Sequence, residues 1–376
     1  SIQQDLGARM VATAAYVGAQ GRNLFLRSIA NPIVSVATNP NPASAAFVIR
    51  RFSIVQRDAT GAVIGVQNPY AEIDTKTSGG ADNYNALQLG LSRRSNSGLS
   101  VNAQYTLSRS FGNTSGSNEA LTAGNAAQTL GEFDYDLGYN AFDVRHTFNF
   151  SALYSLPFGT GRKYMNSGVK GALLGGWDVG GIVNARSGLP VDVRITRPDI
   201  VYVDAAGNVF NNPAAGRSAV VNTPNGGASR NVRRPDLVAG VNPFITDGGL
   251  LFLNPAAFAT PAPGTYGNLE RGSLHGPGFA QIDMVVAKRF VLNGPRNAEF
   301  RVEVFNLFNR TNFANPVATL PNALPTAAVA EANRVQPGQP FSAAAAGTFG
   351  TLTSTVGRTV GLGTNRQVQL ALRLNF

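Results

Sequence analysis

The sequence predicts an all-β protein: an antiparallel, up-and-down transmembrane β-barrel with long extracellular loops. Apolar and polar residues alternate over long runs, and short and long connections alternate between those runs. Turn-forming residues are also abundant, with 42 Gly and 21 Pro among 376 residues. Period-two alternation is typical of strands with one apolar face. Long loops opposite tight turns are typical of outer-membrane barrels.

The carboxy-terminal segment RQVQLALRLNF (366–376) shows the alternation most clearly. Every second residue from Val368 to Phe376 is apolar, and the residues between them are Gln, Ala, Arg and Asn. One face of this strand is therefore apolar and the other mostly polar. The same pattern runs through 144–156, where Phe148 lies on the opposite face from Asn149.

The alternation predicts eight strands: 8–17, 83–93, 99–109, 142–156, 175–187, 279–291, 298–309 and 365–376. Their lengths fit the ~9–11 residues that a tilted membrane-crossing strand needs.

The long connections are 18–82, 110–141, 188–278 and 310–364. Loops this long are hard to explain in a compact soluble sandwich. They are expected outside the cell, so the last strand ends at the periplasmic rim. Asp and Gly predict hairpin turns in two of these loops, at RDATGAV (57–63) and VDAAGNVF (203–210).

Composition argues against several other classes of protein. No apolar stretch approaches the ~18 residues of a membrane helix, and the lack of cysteine removes disulfides and Cys-ligated metals. The net charge is +10, but Arg and Lys are scattered, so nucleic acid is not an expected partner. The amino-terminal SIQQDLGARM has no long apolar core. A signal peptide is therefore expected to have been removed, or the chain to be the later part of something longer.

Four segments, in this order, resemble the carboxy-terminal barrel of TonB-dependent outer-membrane receptors. They are NAFDVRHTFNFSALYSLPFGTGR, GGWDVGGIVNARSGLP, FLNPAAFATPAPGTYGNLERGSLHGPGFAQIDMVVAKRF and FRVEVFNLFNRTNFANP. The sequence is most similar to the Oar-like branch, which carries a carboxypeptidase-regulatory-like amino-terminal domain and is common in acidobacteria. The resemblance covers nearly the whole chain, most strongly 140–190 and 250–316.

The resemblance implies a barrel of about 22 strands, a plug domain inside it and a TonB box that contacts an inner-membrane energy transducer. It places residues 1–376 in the carboxy-terminal portion of such a barrel, with the plug and the TonB box outside this sequence. The implied location is the outer membrane of a Gram-negative bacterium. The implied function is uptake of a carbohydrate, a peptide or a chelate. Two alternatives stay open: a surface structural or adhesive barrel, and a passive porin.

Polar residues on the strands are predicted to line the lumen. The candidates are Arg145, Asn149, Asp283, Glu299, Arg301 and Glu303. Paired carboxylates can perform acid–base chemistry, but these recur at strand spacing. A ladder of cross-strand ion pairs is therefore favoured. Lys288 is unusual because it interrupts the apolar face of its strand.

Arginines of the long loops are predicted to meet lipopolysaccharide or an anionic ligand, with solvated loop charge as the simpler interpretation. The candidates are Arg50, Arg51, Arg194, Arg233 and Arg234. Outer-membrane lipid is a further expected partner. The resemblance adds TonB, acting through regions outside this sequence, and a surface lipoprotein.

The terminal LRLNF resembles the signal that the outer-membrane assembly machinery recognises. A strand end of this kind can add to another sheet edge, which makes Leu372, Leu374 and Phe376 the candidate residues. The alternative is a last strand that simply pairs with its neighbour.

No catalytic, metal or cofactor site is expected, and the chain is not predicted to be an enzyme. His146 and His275 lie in different segments, without Asp or Glu partners that converge on them. The Gly-rich YGNLERGSLHGPG (266–278) lacks the lysine of a P-loop. It is interpreted as a turn that leads into a strand.

Overall fold

The computed structural model describes residues 1–94, 98–114, 133–159, 162–165, 167–227, 232–247, 249–292, 296–326, 329–357 and 365–375. These residues form many strands and few helices. The first strands are β1 Ile2–Gly7, β2 Met10–Ile29, β3 Ile33–Ala37, β4 Phe47–Arg50, β5 Ile54–Arg57, β6 Val63–Gln67, β7 Asp74–Arg94, β8 Leu99–Gly112, β9 Gly138–Tyr139, β10 His146–Ser155 and β11 Trp177–Arg186. The remaining strands are β12 Pro190–Val191, β13 Arg194–Ile195, β14 Ile200–Asp204, β15 Val209–Phe210, β16 Arg217–Val221, β17 Asp236–Leu237, β18 Phe258–Ala259, β19 Leu274–His275, β20 Phe279–Val291, β21 Asn297–Phe305, β22 Thr319–Leu320 and β23 Gln367–Asn375.

The helices are short. They are α1 Gly168–Leu174 and α2 Ala343–Ala346, with 3₁₀ turns at Phe133–Asp136, Pro255–Ala257 and Glu331–Asn333. Within the described ranges, no helix has the length and apolar composition needed to cross a membrane.

Ten strands form one antiparallel sheet, here called the wall. Its order is β1-β2-β7-β8-β10-β11-β20-β21-β23, with β9 paired to β8. Strands that follow one another along this path are neighbours, which is the up-and-down order. The short connections 8–9, 95–98, 156–176 and 292–296 all leave one end of the wall, here called the short-turn rim. The predicted alternation of short and long connections is confirmed.

All eight predicted strands are present in the wall. The prediction missed β1, which pairs with β2 through a turn at Ala8 and Arg9. Both turn residues have a positive φ, 47° and 59°. Hairpin turns of this conformation usually carry Asn or Gly at the two central positions, so Ala8 and Arg9 themselves gave no turn signal.

The first long loop is shorter than predicted. β2 continues to Ile29 and β7 begins at Asp74, so the connection is 30–73 and not 18–82. The alternation fades after residue 17, but backbone pairing between the two strands continues through two bulges. Gly79 belongs to this extension, where an added Cβ would lie 2.4 Å from the ring of Phe133. Pairing with a neighbour, not side-chain pattern, sets the length of these strands.

Two predicted strands are shorter than expected. β10 begins at His146 and not at 142, and β21 ends at Phe305 and not at 309. Asn306 has a φ of 52°, a left-handed conformation that ends an extended strand. The described long connections are therefore 30–73, 113–145, 187–278 and 306–366, together called the loop layer.

The register assigns every strand of the wall the same two faces. Phe150 lies opposite Ala103 on one side and Val183 on the other, and Val183 lies opposite Ile282. Residues paired in this way share a face, so alternation along each strand adds up to one apolar face across the sheet. Several large side chains of this face are exposed, among them Tyr16 on β2, Phe148 on β10 and Leu372 on β23, which is 69% exposed. Others, such as Phe150 and Val183, are partly buried. A soluble sandwich would bury this face, whereas an outer-membrane barrel turns it towards lipid.

Strands β1 and β23 lie at the two edges of the wall. In the described residues each pairs with a single wall strand, β2 and β21 respectively. A strand edge presents N–H and C=O groups that can pair with another strand. The wall, as described, is therefore an open sheet.

The loop layer has a hydrophobic core of its own. Its most buried side chains include Leu253, Phe258, Leu320, Phe341 and Phe349. The rings of Phe258 and Phe349 meet edge to face at 5.2 Å between centroids. These side chains come from the third and fourth long connections, so the two pack together as one folded unit.

Both predicted hairpins are confirmed, as β5–β6 and β14–β15. The Asp58 carboxylate accepts hydrogen bonds from the backbone N–H groups of Thr60 and Ala62 at 2.8 and 3.0 Å. Asp204 does the same for the second hairpin, accepting from Ala206 and Asn208 at 3.0 and 2.8 Å. The short acidic side chain satisfies the turn amides, as the Asp-Gly patterns predicted.

Candidate functional site

The second face of the wall is polar and concave. The cross-strand row Gln104, Asn149, Asn184 and Gln281 runs across four neighbouring strands. A concavity of about 940 Å³ lies against this face, and its lining includes Asn102 from β8. The wall therefore curves around its polar side, as a water-filled lumen requires.

The predicted lumen residues that lie within strands share this polar face. They are Asn149, Asp283, Glu299, Arg301 and Glu303. Arg145 lies immediately before β10, and its carbonyl accepts a hydrogen bond from Ser108 N at 3.0 Å. The assignment of these side chains to the lumen remains a prediction.

The acidic residues of the last strands have partners of two kinds. Arg301 lies 2.7 Å from Glu299 and 3.5 Å from Glu303, and Arg289 reaches Glu299 across the strand pair at 3.6 Å. Among the described residues, the expected cross-strand ladder is thus present only as the Arg289–Glu299 pair, because the two Arg301 contacts lie along β21 itself. Asp283 has a different role, because it accepts a hydrogen bond from the backbone N–H of Asn306 at 2.8 Å. It caps the turn that ends β21, a role that strand spacing did not predict.

The concave face also carries an apolar patch near the short-turn rim. It consists of Leu153, Ile182 and Val285, one from each of three adjacent strands, β10, β11 and β20. Leu153 and Ile182 are exposed. The lining is therefore mixed in character at this end and polar further towards the loop layer.

The loop arginines differ in how accessible they are. Arg51 is exposed. Arg194 is 45% exposed and pairs with Asp192 at 2.7 Å. Arg50 is partly buried, and its Nη1 donates to the carbonyls of Asn31 and Gly227, both at 3.1 Å. Of these three, Arg51 and Arg194 are the side chains that a ligand at the loop surface could reach.

Arg233 and Arg234 lie inside the loop layer. Arg233 pairs with Asp199. The side chain of Arg234 is 1% exposed, pairs with Asp136 at 3.1 Å, and has its guanidinium 4.0 Å from the ring centroid of Tyr135. A guanidinium buried in this way holds the loops together. Arg234 is therefore not at the loop surface, and the prediction that it meets a ligand there is wrong.

A small crevice in the loop layer is lined by Arg233, Arg234 and a third arginine, Arg197. Its Nη1 donates to Thr265 O at 2.7 Å and its Nη2 to Asn222 Oδ1 at 3.0 Å. Burial, followed by repulsion from Arg233, lowers the pKa of Arg197 to about 10. Burial also raises the pKa of Tyr135. The crevice holds about 10 Å³, roughly the space of one water molecule, so it does not accommodate a nutrient.

Arg271 was missed by the sequence reasoning. Its Nη1 donates to Gly112 O at 3.2 Å and Asp136 O at 3.0 Å, and its Nη2 donates to Asn140 Oδ1 at 3.2 Å. Burial lowers the pKa of Arg271. The residue links the third long connection to the second. Its partners lie more than a hundred residues away in the sequence, so no local pattern could have found it.

The candidate assembly residues lie on the edge strand β23. Leu372 and Leu374 share the apolar face and are both exposed. Phe376 lies outside the described residues. Their recognition by the assembly machinery remains a prediction.

The histidines do not converge. His146 Nδ1 lies 2.7 Å from the hydroxyl of Tyr105 on the neighbouring strand. His275 meets Tyr139 edge to face at 5.5 Å. The described residues contain no group of three or more His, Cys, Asp or Glu side chains placed to hold a metal ion.

Comparison with known protein families agrees with the architecture. A family model described as an outer membrane beta barrel domain matches residues 1–369. Among solved structures, the outer membrane transporter YddB from Escherichia coli is similar, with 10% sequence identity and a TM-score of 0.34. That alignment covers 82% of this chain and 28% of the transporter, so the chain spans little more than a quarter of that protein's length. No curated protein matches the sequence.

Proposed function

Because this chain belongs to the outer membrane beta barrel domain family, which places it in the bacterial outer membrane, we propose that its wall is part of the barrel of a TonB-dependent receptor. The receptor would be of the Oar-like branch and would take up a carbohydrate, a peptide or a chelate. In this proposal the barrel performs no covalent chemistry. TonB supplies energy through parts of the receptor other than the wall.

The observation that carries the proposal is the two-faced wall. Its apolar face carries exposed side chains on strands from β2 to β23, such as Tyr16 and Leu372, and its polar face surrounds a concavity of about 940 Å³. An anchor needs only the first feature, whereas a transporter needs both. The open edges at β1 and β23 support a barrel completed by further strands, because an unpaired edge is not tolerated in hydrocarbon.

The loop layer supports the receptor role. Its hydrophobic core and buried ion pair hold the long connections in a defined arrangement. A defined arrangement can present Arg51 and Arg194 to an anionic ligand or to lipopolysaccharide. The same rigidity would serve an adhesive surface protein, which is the second candidate function.

Uptake by cells separates the candidates. Growth of a strain with the full-length gene is compared with that of its deletion strain on carbohydrates, peptides and iron chelates, each with and without TonB. We expect gene-dependent growth on one class of substrate, and we expect that growth to disappear when TonB is removed. Gene-dependent growth that survives the loss of TonB would identify a porin and overturn the proposal. Unchanged growth together with lost surface adhesion would identify the adhesive protein.

A further inference from the structure

Lys288 stands out because it is a cation on the lipid-facing side of the wall. It lies on β20 in the same alternation as Met284 and Val286, and it pairs in register with Trp177 of β11 and Phe300 of β21. A lysine on a barrel's lipid face is costly near the midplane of the bilayer and less costly near the interface. Its position near the short-turn rim lowers this cost but leaves the ammonium in need of partners.

Helix α1 supplies those partners. Lys288 Nζ donates to the carbonyls of Ala172 at 2.8 Å and Leu173 at 3.0 Å, and also to the carbonyl of Gly175. These carbonyls belong to the carboxy-terminal turn, where helix C=O groups lack intrahelical partners and attract cations. Lys288 is only 4% exposed as a result.

The contact also fixes where the helix lies. The Lys288 side chain projects from the apolar face, so the end of α1 that it binds lies on that face, outside the lumen. The Trp177 indole Nε1 donates to Leu173 O at 3.0 Å from the same side. The ammonium lies 5.3 Å from the Trp177 ring centroid and 5.4 Å from that of Phe290. A cation, two aromatic rings and a helix end therefore meet at one point of the rim.

The helix carries apolar side chains that nothing in the described chain covers. Val169 is 75% exposed and Leu173 is 66% exposed. Nearby rim residues are also exposed and apolar: Tyr164, Met165, Leu174 and Leu292. Two exposed lysines, Lys163 and Lys170, lie among them.

We propose that α1 and the described residues next to it, 162–165 and 167–176, form a membrane-interface anchor that docks on the phospholipid leaflet at the short-turn rim. Its apolar side chains enter the boundary between headgroups and acyl chains, and Lys163 and Lys170 lie at the phosphate groups. Interfacial helices combine an apolar surface with basic residues in this way. The occupant is lipid because Lys288 and Trp177, both on the apolar face of the wall, bind the end of the helix, and an outer-membrane barrel turns that face towards lipid. The inference rests on membrane insertion and does not depend on transport.

Site-directed spin labelling tests the anchor. This sequence contains no cysteine, so Leu173→Cys introduces a single thiol into it. The full-length protein is reconstituted in phosphatidylethanolamine–phosphatidylglycerol vesicles, and accessibility to oxygen and to a water-soluble nickel chelate is measured. Leu372→Cys on the lipid face and Thr60→Cys in an exposed hairpin turn are the two references.

We expect the label at 173 to be at least threefold less accessible to the nickel chelate than the label at 60, and to resemble the label at 372. Equal chelate accessibility at 173 and 60 would overturn the proposal. Heat-modifiable migration on a gel verifies folding of each variant. If the variant at 173 does not fold, Val169→Cys carries the same test at the other exposed position of the helix.

A second variant tests the contact that places the helix. Lys288→Met replaces the lysine with an apolar side chain of similar length and so removes the ammonium that binds the carbonyls of α1. We expect the label at 173 to become more mobile, whereas Lys76→Met, which removes an exposed cation at the loop end of β7, leaves its mobility unchanged. Equal mobility in the Lys288→Met variant and the parent would show that Lys288 does not hold the helix.

Discussion

Arg234 and Asp136 form a buried ion pair that joins two long connections, with 3.1 Å between Nη1 and Oδ1. The side chains are 1% and 6% exposed and lie 98 residues apart in the sequence. Arg234 also donates to Leu269 O at 3.1 Å. The pair thus joins the second long connection, 113–145, to the third, 187–278.

Removing Arg234 should destabilise the loop layer strongly. In Arg234→Ala the Asp136 carboxylate stays buried without this partner, and breaking a buried pair in this way costs about 3–5 kcal/mol. The measurement is protease resistance of the loop layer in outer-membrane preparations as temperature rises. Arg194→Ala is the matched control, because its pair with Asp192 is partly exposed and surface pairs contribute at most about 1 kcal/mol. Equal loss of resistance in both variants would contradict this assignment.

Adjacent residues of β11 should respond oppositely to an added charge. Val183 lies on the apolar face and Asn184 on the polar face. Val183→Arg should reduce the folded, heat-modifiable fraction, since arginine on the lipid face costs about 2–4 kcal/mol near the midplane. Asn184→Arg should fold like the parent. If both variants fold equally well, the apolar face does not contact lipid.

The β5–β6 hairpin should loosen in acid. The hydrogen bond from the Thr60 hydroxyl, followed by that from the Ala62 N–H, lowers the pKa of Asp58 below its ordinary value of 3.8. A depressed carboxyl pKa gives stabilisation that is present above the unfolded value and is lost as pH falls through the folded one. Amide exchange in residues 54–67, corrected for intrinsic rates, should therefore accelerate below pH 3.8.

Asp58→Ala is the control for that pH dependence. It should exchange rapidly at both neutral and acid pH, because the acceptor for the turn amides is gone. A parent hairpin that is equally protected at both pH values would show that the Asp58 carboxylate does not hold the turn.

Deleting Phe376 should lower the amount of barrel assembled in the outer membrane. Leu372 and Leu374 would keep the apolar pattern of β23, but the terminal aromatic residue that completes it would be lost. The measurement is the heat-modifiable fraction in outer membranes, normalised to total synthesis. Phe308→Ala is the control, since it removes an exposed aromatic side chain away from the terminal strand. Normal assembly after the deletion would contradict a role as assembly signal.

Strand prediction succeeded where the signal is local. Alternation over 99–109 and 279–291 depends only on which face each side chain takes, and β8 and β20 begin at the predicted positions. It failed for β1, whose Ala8–Arg9 turn has no Gly or Asn. The prediction also ended β2 at residue 17, although the strand continues to Ile29. Residues beyond 17 lose the apolar alternation, but their backbone stays paired with β7.

The sequence by itself determined the antiparallel wall, its two faces and the end from which the long loops leave. The strands and their faces follow from a period of two along each strand, and the loop end follows from the alternation of short and long connections. The tertiary structure alone decided that Arg234 is buried with Asp136, that Asp283 caps the turn at Asn306, and that Lys288 binds the end of α1. These contacts join residues that only the folded chain brings together. Whether a charge stays in water or is buried against a partner depends on that proximity, which a period along a single strand does not encode.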